Sequence, residues 1–126
     1  MILVDTSVWI EHIRAAHPHL REMLEQFRVV MHPLVMGEVA CGTVASRRAV
    51  LAEMEGLPRA VVAGHEEAMH LLETRTLWGR GLGWVDLHLL AAAQLSACRL
   101  WTLDRRLEDV ARELGVEYLP PPGIPR

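Results

Sequence analysis

With 126 residues, 51% of them hydrophobic, the chain is long enough to bury one core and too apolar to stay disordered. A formal net charge of −3 excludes a uniformly basic nucleic-acid binder. No apolar run reaches bilayer-spanning length, and the charge-free opening is too short for a signal peptide, so a soluble cytoplasmic protein is expected.

The chain opens on Met1-Ile2-Leu3-Val4-Asp5-Thr6-Ser7. An apolar run of this kind reads as a buried strand of a parallel sheet, which places Asp5 at its carboxyl end, where open α/β sheets bind ligands. Ser7 reads as the N-cap of a helix through Val8, Trp9, Ile10 and Ile13. Asp5 has two readings here: a helix-capping carboxylate, or a hard oxygen ligand for a divalent cation. Pro18 marks a turn, and Leu20, Met23, Leu24 and Phe27 recur at helical spacing over a helix from 20 to 27. Val29-Val30-Met31 is a short strand ended by His32-Pro33, and Pro33 starts a helix running to about Gly42. Glu38 sits within that helix among Val35, Met36, Val39 and Ala40, either on a narrow solvated stripe or facing something that needs a charge.

Ser46 is the expected cap of a helix through Leu57, and residues 59–62 form a weak strand or linker. A longer helix is expected from His65 to Trp78, broken by Gly79, Gly81 and Gly83, a loop able to approach a ligand closely. The segment Trp84–Cys98 is apolar nearly all round, the pattern of a buried helix, with Asp86 in its first turn, where the helix dipole favours a carboxylate. Arg99 to Asp104 repeats the opening as a strand running into an acid. A helix from Arg106 to Gly115, a strand over 116–119 and a stiff proline-rich tail over about 120–126 complete the chain. Strands alternating with helices imply an α/β domain spanning 1–126, with a mainly parallel sheet between helices on both faces. Right-handed crossovers then bring the ends of the first and penultimate strands, with Asp5 and Asp104, to one sheet edge.

Asp5, Glu38, Asp86 and Asp104 all lie in segments otherwise composed for burial. Carboxylates gathered in such surroundings repel one another and lose hydration unless a cation neutralises them. Mg²⁺ or Mn²⁺ does so through oxygen ligands, and a site of that kind hydrolyses phosphodiesters. The apolar run ending in Asp5-Thr6-Ser7, Glu38 in a short helix, Asp86 heading an Ala-rich helix, and Thr102-Leu103-Asp104 together resemble the PIN-domain ribonucleases. The Val4-Asp5-Thr6-Ser7-Val8-Trp9-Ile10 opening and the size resemble the VapC toxins of toxin–antitoxin pairs. The resemblance implies a PIN-like three-layer α/β/α fold, Mg²⁺- or Mn²⁺-dependent endoribonuclease activity on RNA, a homodimer, and inhibition by a VapB-like antitoxin. It makes Asp5, Glu38, Asp86 and Asp104 the catalytic and metal-site acids, with Thr6, Ser7 and Thr102 as hydroxyls that orient carboxylates or water. Arg105 and Arg106 depart from the pattern, standing where some relatives carry a further acid. With Arg80 they are candidates to hold RNA phosphates. Asp109, beside Glu108, is expected on a solvated face.

The same residues argue against three rival classes. A haloacid-dehalogenase-type phosphatase needs a second acid two residues after the first, and position 7 is Ser. A receiver-like Mg²⁺-binding signalling module needs a pocket lysine, and the chain has none. A PIN-like module that only binds its antitoxin is the remaining alternative, opposed by the four intact acids. The seven histidines show no zinc-ligand spacing and are expected on surfaces or helix faces. Cys41 and Cys98 are expected to be small buried hydrophobes. The four tryptophans are expected in the core or at an interface, with Trp9 and Trp84 near the crevice or the antitoxin.

Overall fold

A computed structural model describes residues 1–123, so the last three residues of the proline-rich tail lie outside the described residues. β1 (Ile2–Val4) is the central strand of a three-stranded parallel sheet, between β2 (Val29–Val30) and β3 (Arg99–Trp101). Ile2 pairs with Val29 and Arg99, Leu3 with Val30 and Leu100, and Val4 with Trp101. Hydrogen-bonded on both edges and covered on both faces, β1 must be apolar throughout, and Ile2, Leu3 and Val4 are all buried. Each such side chain contributes about 1.5–3 kcal/mol relative to leaving it in water.

The helices wrap this sheet: α1 (Thr6–Ala15), α2 (Pro18–Glu25), α3 (Pro33–Cys41), α4 (Arg47–Glu55), α5 (His65–Thr74), α6 (Trp84–Ser96) and α7 (Arg105–Glu113). α6, buried along Leu87, Leu89, Leu90 and Ala91 to Ala93, packs against β3 and α5, while α1 packs on α3. The expected α/β class and parallel sheet are therefore present. Among the described residues no helix is long and apolar enough to cross a membrane.

Several boundaries differ from the sequence expectation, each for a local reason. α1 starts at Thr6 with Asp5, not Ser7, in the N-cap position, and the Asp5 side chain makes no capping bond. Pro18 is not a turn residue ahead of α2 but its first residue, where a fixed φ and a missing N–H cost nothing. α5 stops at Thr74 instead of Trp78: Thr76 turns left-handed, its N–H meets the Glu73 carbonyl, and the Leu77 N–H meets that of Leu72. This is a Schellman closure sealed by buried Leu77. The expected last strand is reduced to one parallel bridge between Glu117 and Leu100, and residues 59–62 to one bridge between Arg59 and Met31. Cys41 is exposed, unlike buried Cys98, because it closes α3 at the surface. His19 and His32 are buried rather than on the surface; His19 stacks on Tyr118, and His32 caps α3.

Candidate active site

The sheet register builds the site. Val4 pairs with Trp101, so the next residue of each strand, Asp5 and Thr102, emerges side by side, and the Asp5 N–H still donates to the Trp101 carbonyl at 2.9 Å. Both residues are buried. Asp5 Oδ2 accepts from Thr102 Oγ1 at 2.7 Å and from Ser7 Oγ at 2.8 Å. Those hydroxyls in turn accept from backbone: Ser7 Oγ from Leu103 N at 3.0 Å, Thr102 Oγ1 from Asp104 N at 3.0 Å. A hydroxyl has one proton, and a carboxylate can only accept, so both protons point at Asp5. The 3.4 Å approach of the two hydroxyl oxygens is thus a contact and not a hydrogen bond between them.

Asp104 follows as the N-cap of α7, its Oδ1 accepting from Arg106 N at 2.9 Å and more weakly from Leu107 N at 3.5 Å. Asp86 sits at the third position of α6 and reaches back to the Gly83 N–H at 2.8 Å, half of a capping box, since Gly83 has no side chain to answer. Glu38 rises exposed from the middle of α3, with Thr6 Oγ1 donating to its Oε1 at 2.6 Å. The three hydroxyls therefore divide the work: Thr6 orients Glu38, and Ser7 and Thr102 lock Asp5.

Electrostatics ties the four acids together. Burial pushes the Asp86 carboxyl above its usual value; the Gly83 N–H opposes this, and the charges of Asp5, Asp104 and Glu38 push it further up. Among the described residues no three His, Cys, Asp or Glu side chains are drawn into a ready-made metal cage. The charges of Asp5, Asp104 and Glu38 are all felt at Asp86, so the four acids share one electrostatic neighbourhood. As a donor set, carboxylates and hydroxyls fit a hard, oxygen-seeking dication and offer nothing to a soft metal.

Arginines border this region. Arg105 and Arg106 are exposed directly after Asp104. Arg80 is forked onto the carboxylate of Glu113, with Nη1 at 2.8 Å from Oε1. Trp84, partly exposed, packs edge-on against His88 and tilted against His65, while Trp9 and Trp101 are in the core. Two residues of consequence escape sequence reasoning. His32 caps α3 through Nδ1, which accepts from Leu34 N at 3.0 Å; its place just before a helix-starting proline is the available signal. Glu113 carries a weaker one, its seven-residue spacing from Arg106 along one helix face.

A small parallel sheet with acids at its carboxyl edge and at two neighbouring helices defines a class of α/β domain with an acidic, oxygen-lined sheet edge. Residues 2–113 match the PIN domain family, and the chain belongs to that family. It is 48% identical over 117 residues, 92% of this chain and 94% of the relative, to Ribonuclease VapC32 of Mycobacterium tuberculosis, in strains CDC 1551 / Oshkosh and ATCC 25618 / H37Rv alike. Its fold is also similar to the crystal structure of PAE2754 from Pyrobaculum aerophilum, with a TM-score of 0.53 at 16% identity, covering 92% of this chain and 90% of that one.

Proposed function

We propose that this chain is a VapC-type toxin, an endoribonuclease that hydrolyses RNA phosphodiester bonds and is held in check by a VapB-like antitoxin. The carrying observation is the locked Asp5 carboxylate at the end of the central strand, in register with Thr102 and leading to Asp104. Its likeness to a relative named as a ribonuclease supports the reaction class. In this reading Asp5, Asp86, Asp104 and Glu38 hold Mg²⁺ or Mn²⁺, which when bound polarises the scissile phosphate and lowers the pKa of water. Ser7 and Thr102 pin Oδ2 of Asp5 so that its carboxylate keeps one orientation, and Thr6 does the same for Glu38. Arg105 and Arg106 hold RNA phosphates next to the acids. Arg80, engaged by Glu113, serves that face by fixing the loop beside it. The protein works as a cytoplasmic homodimer.

The test is incubation of the purified chain with structured RNA in Mg²⁺ or Mn²⁺, in EDTA, and as Asp5→Asn. Cleavage that requires the metal and falls at least about a hundredfold in the variant supports the site, since even orienting residues around a metal are worth roughly 10–100-fold. Undiminished cleavage by Asp5→Asn, with contaminating nuclease excluded, removes it.

A further inference from the structure

The glycine-bearing loop between α5 and α6 is fastened to α7 at two points. Gly81, at a φ of +80°, lies directly beneath Arg106: a Cβ there would fall 2.6 Å from Arg106 Cδ and 3.0 Å from its Nη1. The left-handed backbone there favours glycine, and any Cβ would have to push the exposed Arg106 side chain aside. One residue earlier, Arg80 forks onto Glu113. Arg106 and Glu113 are seven positions apart on α7, so they lie on one stripe about 10 Å apart along the helix axis. Asp109, on the same stripe, adds its charge to the pull of Glu113 on Arg80. The loop then ends at Gly83, whose N–H holds Asp86 Oδ2 at 2.8 Å, while the first residue before α7 is Asp104. Two acids on different helices are therefore joined by a strap that runs along α7 and finishes on the amide gripping Asp86.

We propose that Glu113 is a positioning residue for RNA hydrolysis: through Arg80 it holds the 79–83 loop along α7 and so fixes Asp86 relative to Asp104. This rests on the reading of those acids as the reactive site. Nothing about Glu113 itself touches the reacting atoms; it acts at the far end of α7, where a change leaves the site's own side chains intact. An exposed ion pair contributes little to global stability, which is why its removal separates positioning from folding.

The experiment compares Glu113→Gln, Gly81→Ala and the charge swap Arg80→Glu with Glu113→Arg. For Glu113→Gln, kcat on a defined RNA falls about two- to fivefold, the worth of one surface ion pair, with KM and Tm unchanged. In the metal-free protein the Gly83 amide resonance shifts and exchanges faster with solvent, a readout independent of turnover. The charge swap restores kcat and the Gly83 resonance together. Gly81→Ala, which displaces Arg106, loses about tenfold or more, as small displacements of reacting groups do. The proposal is overturned if Glu113→Gln leaves both kcat and the Gly83 amide as in the parent, or if its activity falls only together with Tm and is not restored by the swap. Asp5→Asn, run in parallel, separates the failures: its retaining full cleavage sinks the acidic-site reading, whereas a dead Asp5→Asn beside an unaffected Glu113→Gln sinks the strap alone.

Discussion

Thr102 and Asp5, 97 positions apart in the chain, meet side chain to side chain, with Thr102 Oγ1 donating to Asp5 Oδ2 over 2.7 Å in a buried setting. The same Thr102 oxygen receives the Asp104 N–H, so one hydroxyl couples the acid that ends β1 to the acid that starts α7. A hydrogen bond to a buried charge contributes more than one between neutral groups. Thr102→Val keeps the shape, removes the donor and orphans the Asp104 amide. Stability is expected to fall by about 1.5–3 kcal/mol, read from urea denaturation midpoints. If Asp5 holds a metal as proposed, RNA cleavage is expected to fall about 10–100-fold, the usual cost of losing a residue that orients a metal-site carboxylate. Thr102→Ser, which retains the hydroxyl, stays within a few-fold of the parent. Cleavage by Thr102→Val at the parental rate would show that the hydroxyl does not orient Asp5.

Arg105 and Arg106 carry the second expectation. Both are exposed at the first turn of α7, immediately past Asp104, in a protein whose overall charge is −3. Any RNA affinity must then come from local positive charge, and each phosphate neutralised by an arginine releases counterions. Replacing both residues by glutamate is expected to weaken RNA binding and to flatten the dependence of log affinity on log salt. The slope drops by roughly 0.7 for each single-strand phosphate that is no longer neutralised. Binding measured from low to moderate salt, with cleavage blocked by Asp5→Asn, gives the slope directly. An unchanged slope means the phosphates lie elsewhere. Because Arg106 also covers Gly81, Arg105→Glu alone separates charge from packing.

What the sequence discloses follows from how far apart the cooperating residues are. The run Ile2-Leu3-Val4 before Asp5 announces a central parallel strand because only such a strand is apolar on both faces, and the register with β3 bears this out. The right-handed crossover is enough to bring Asp5 and Asp104 to the same edge. The division of labour among hydroxyls is not legible. Thr6 and Ser7 are adjacent, yet one serves Glu38 on α3 and the other Asp5, a choice set by the direction in which α1 leaves the strand. The Arg80–Glu113 pair joins residues 33 positions apart and depends on a left-handed glycine loop that periodicity does not describe. Periodicity also carries α5 too far, because Arg75-Thr76-Leu77 looks helical in pattern while burial of Leu77 rewards a Schellman turn instead.

His32 is expected to make the fold sensitive to acid. Its side chain is fully buried at the head of α3, and Nδ1 is occupied by the Leu34 N–H, so the ring is neutral with its proton on Nε2. Burial, and secondly the neighbouring charge of His88, push its pKa down to about 4. In the unfolded chain the same ring titrates near 6.5. Above that value neither state binds the proton and the fold keeps its full stability. As the pH falls from about 6.5 toward 4 the unfolded chain takes up a proton the folded chain refuses, and stability is lost through that window. Below it both states are protonated and this contribution levels off. The loss is on the order of 3 kcal/mol from the displaced titration alone. His12 and His19 are displaced in the same direction, chiefly by burial, and add to the slope, so the parent alone does not isolate His32. His32→Asn does, because an asparagine oxygen at the N-cap can still accept from Leu34 N while nothing titrates. Urea midpoints measured between about pH 7.5 and pH 5 are expected to converge for the parent and variant as acid is added, the variant losing less. Parallel stability curves for the two proteins across that interval would show that His32 does not set the acid limit of this fold.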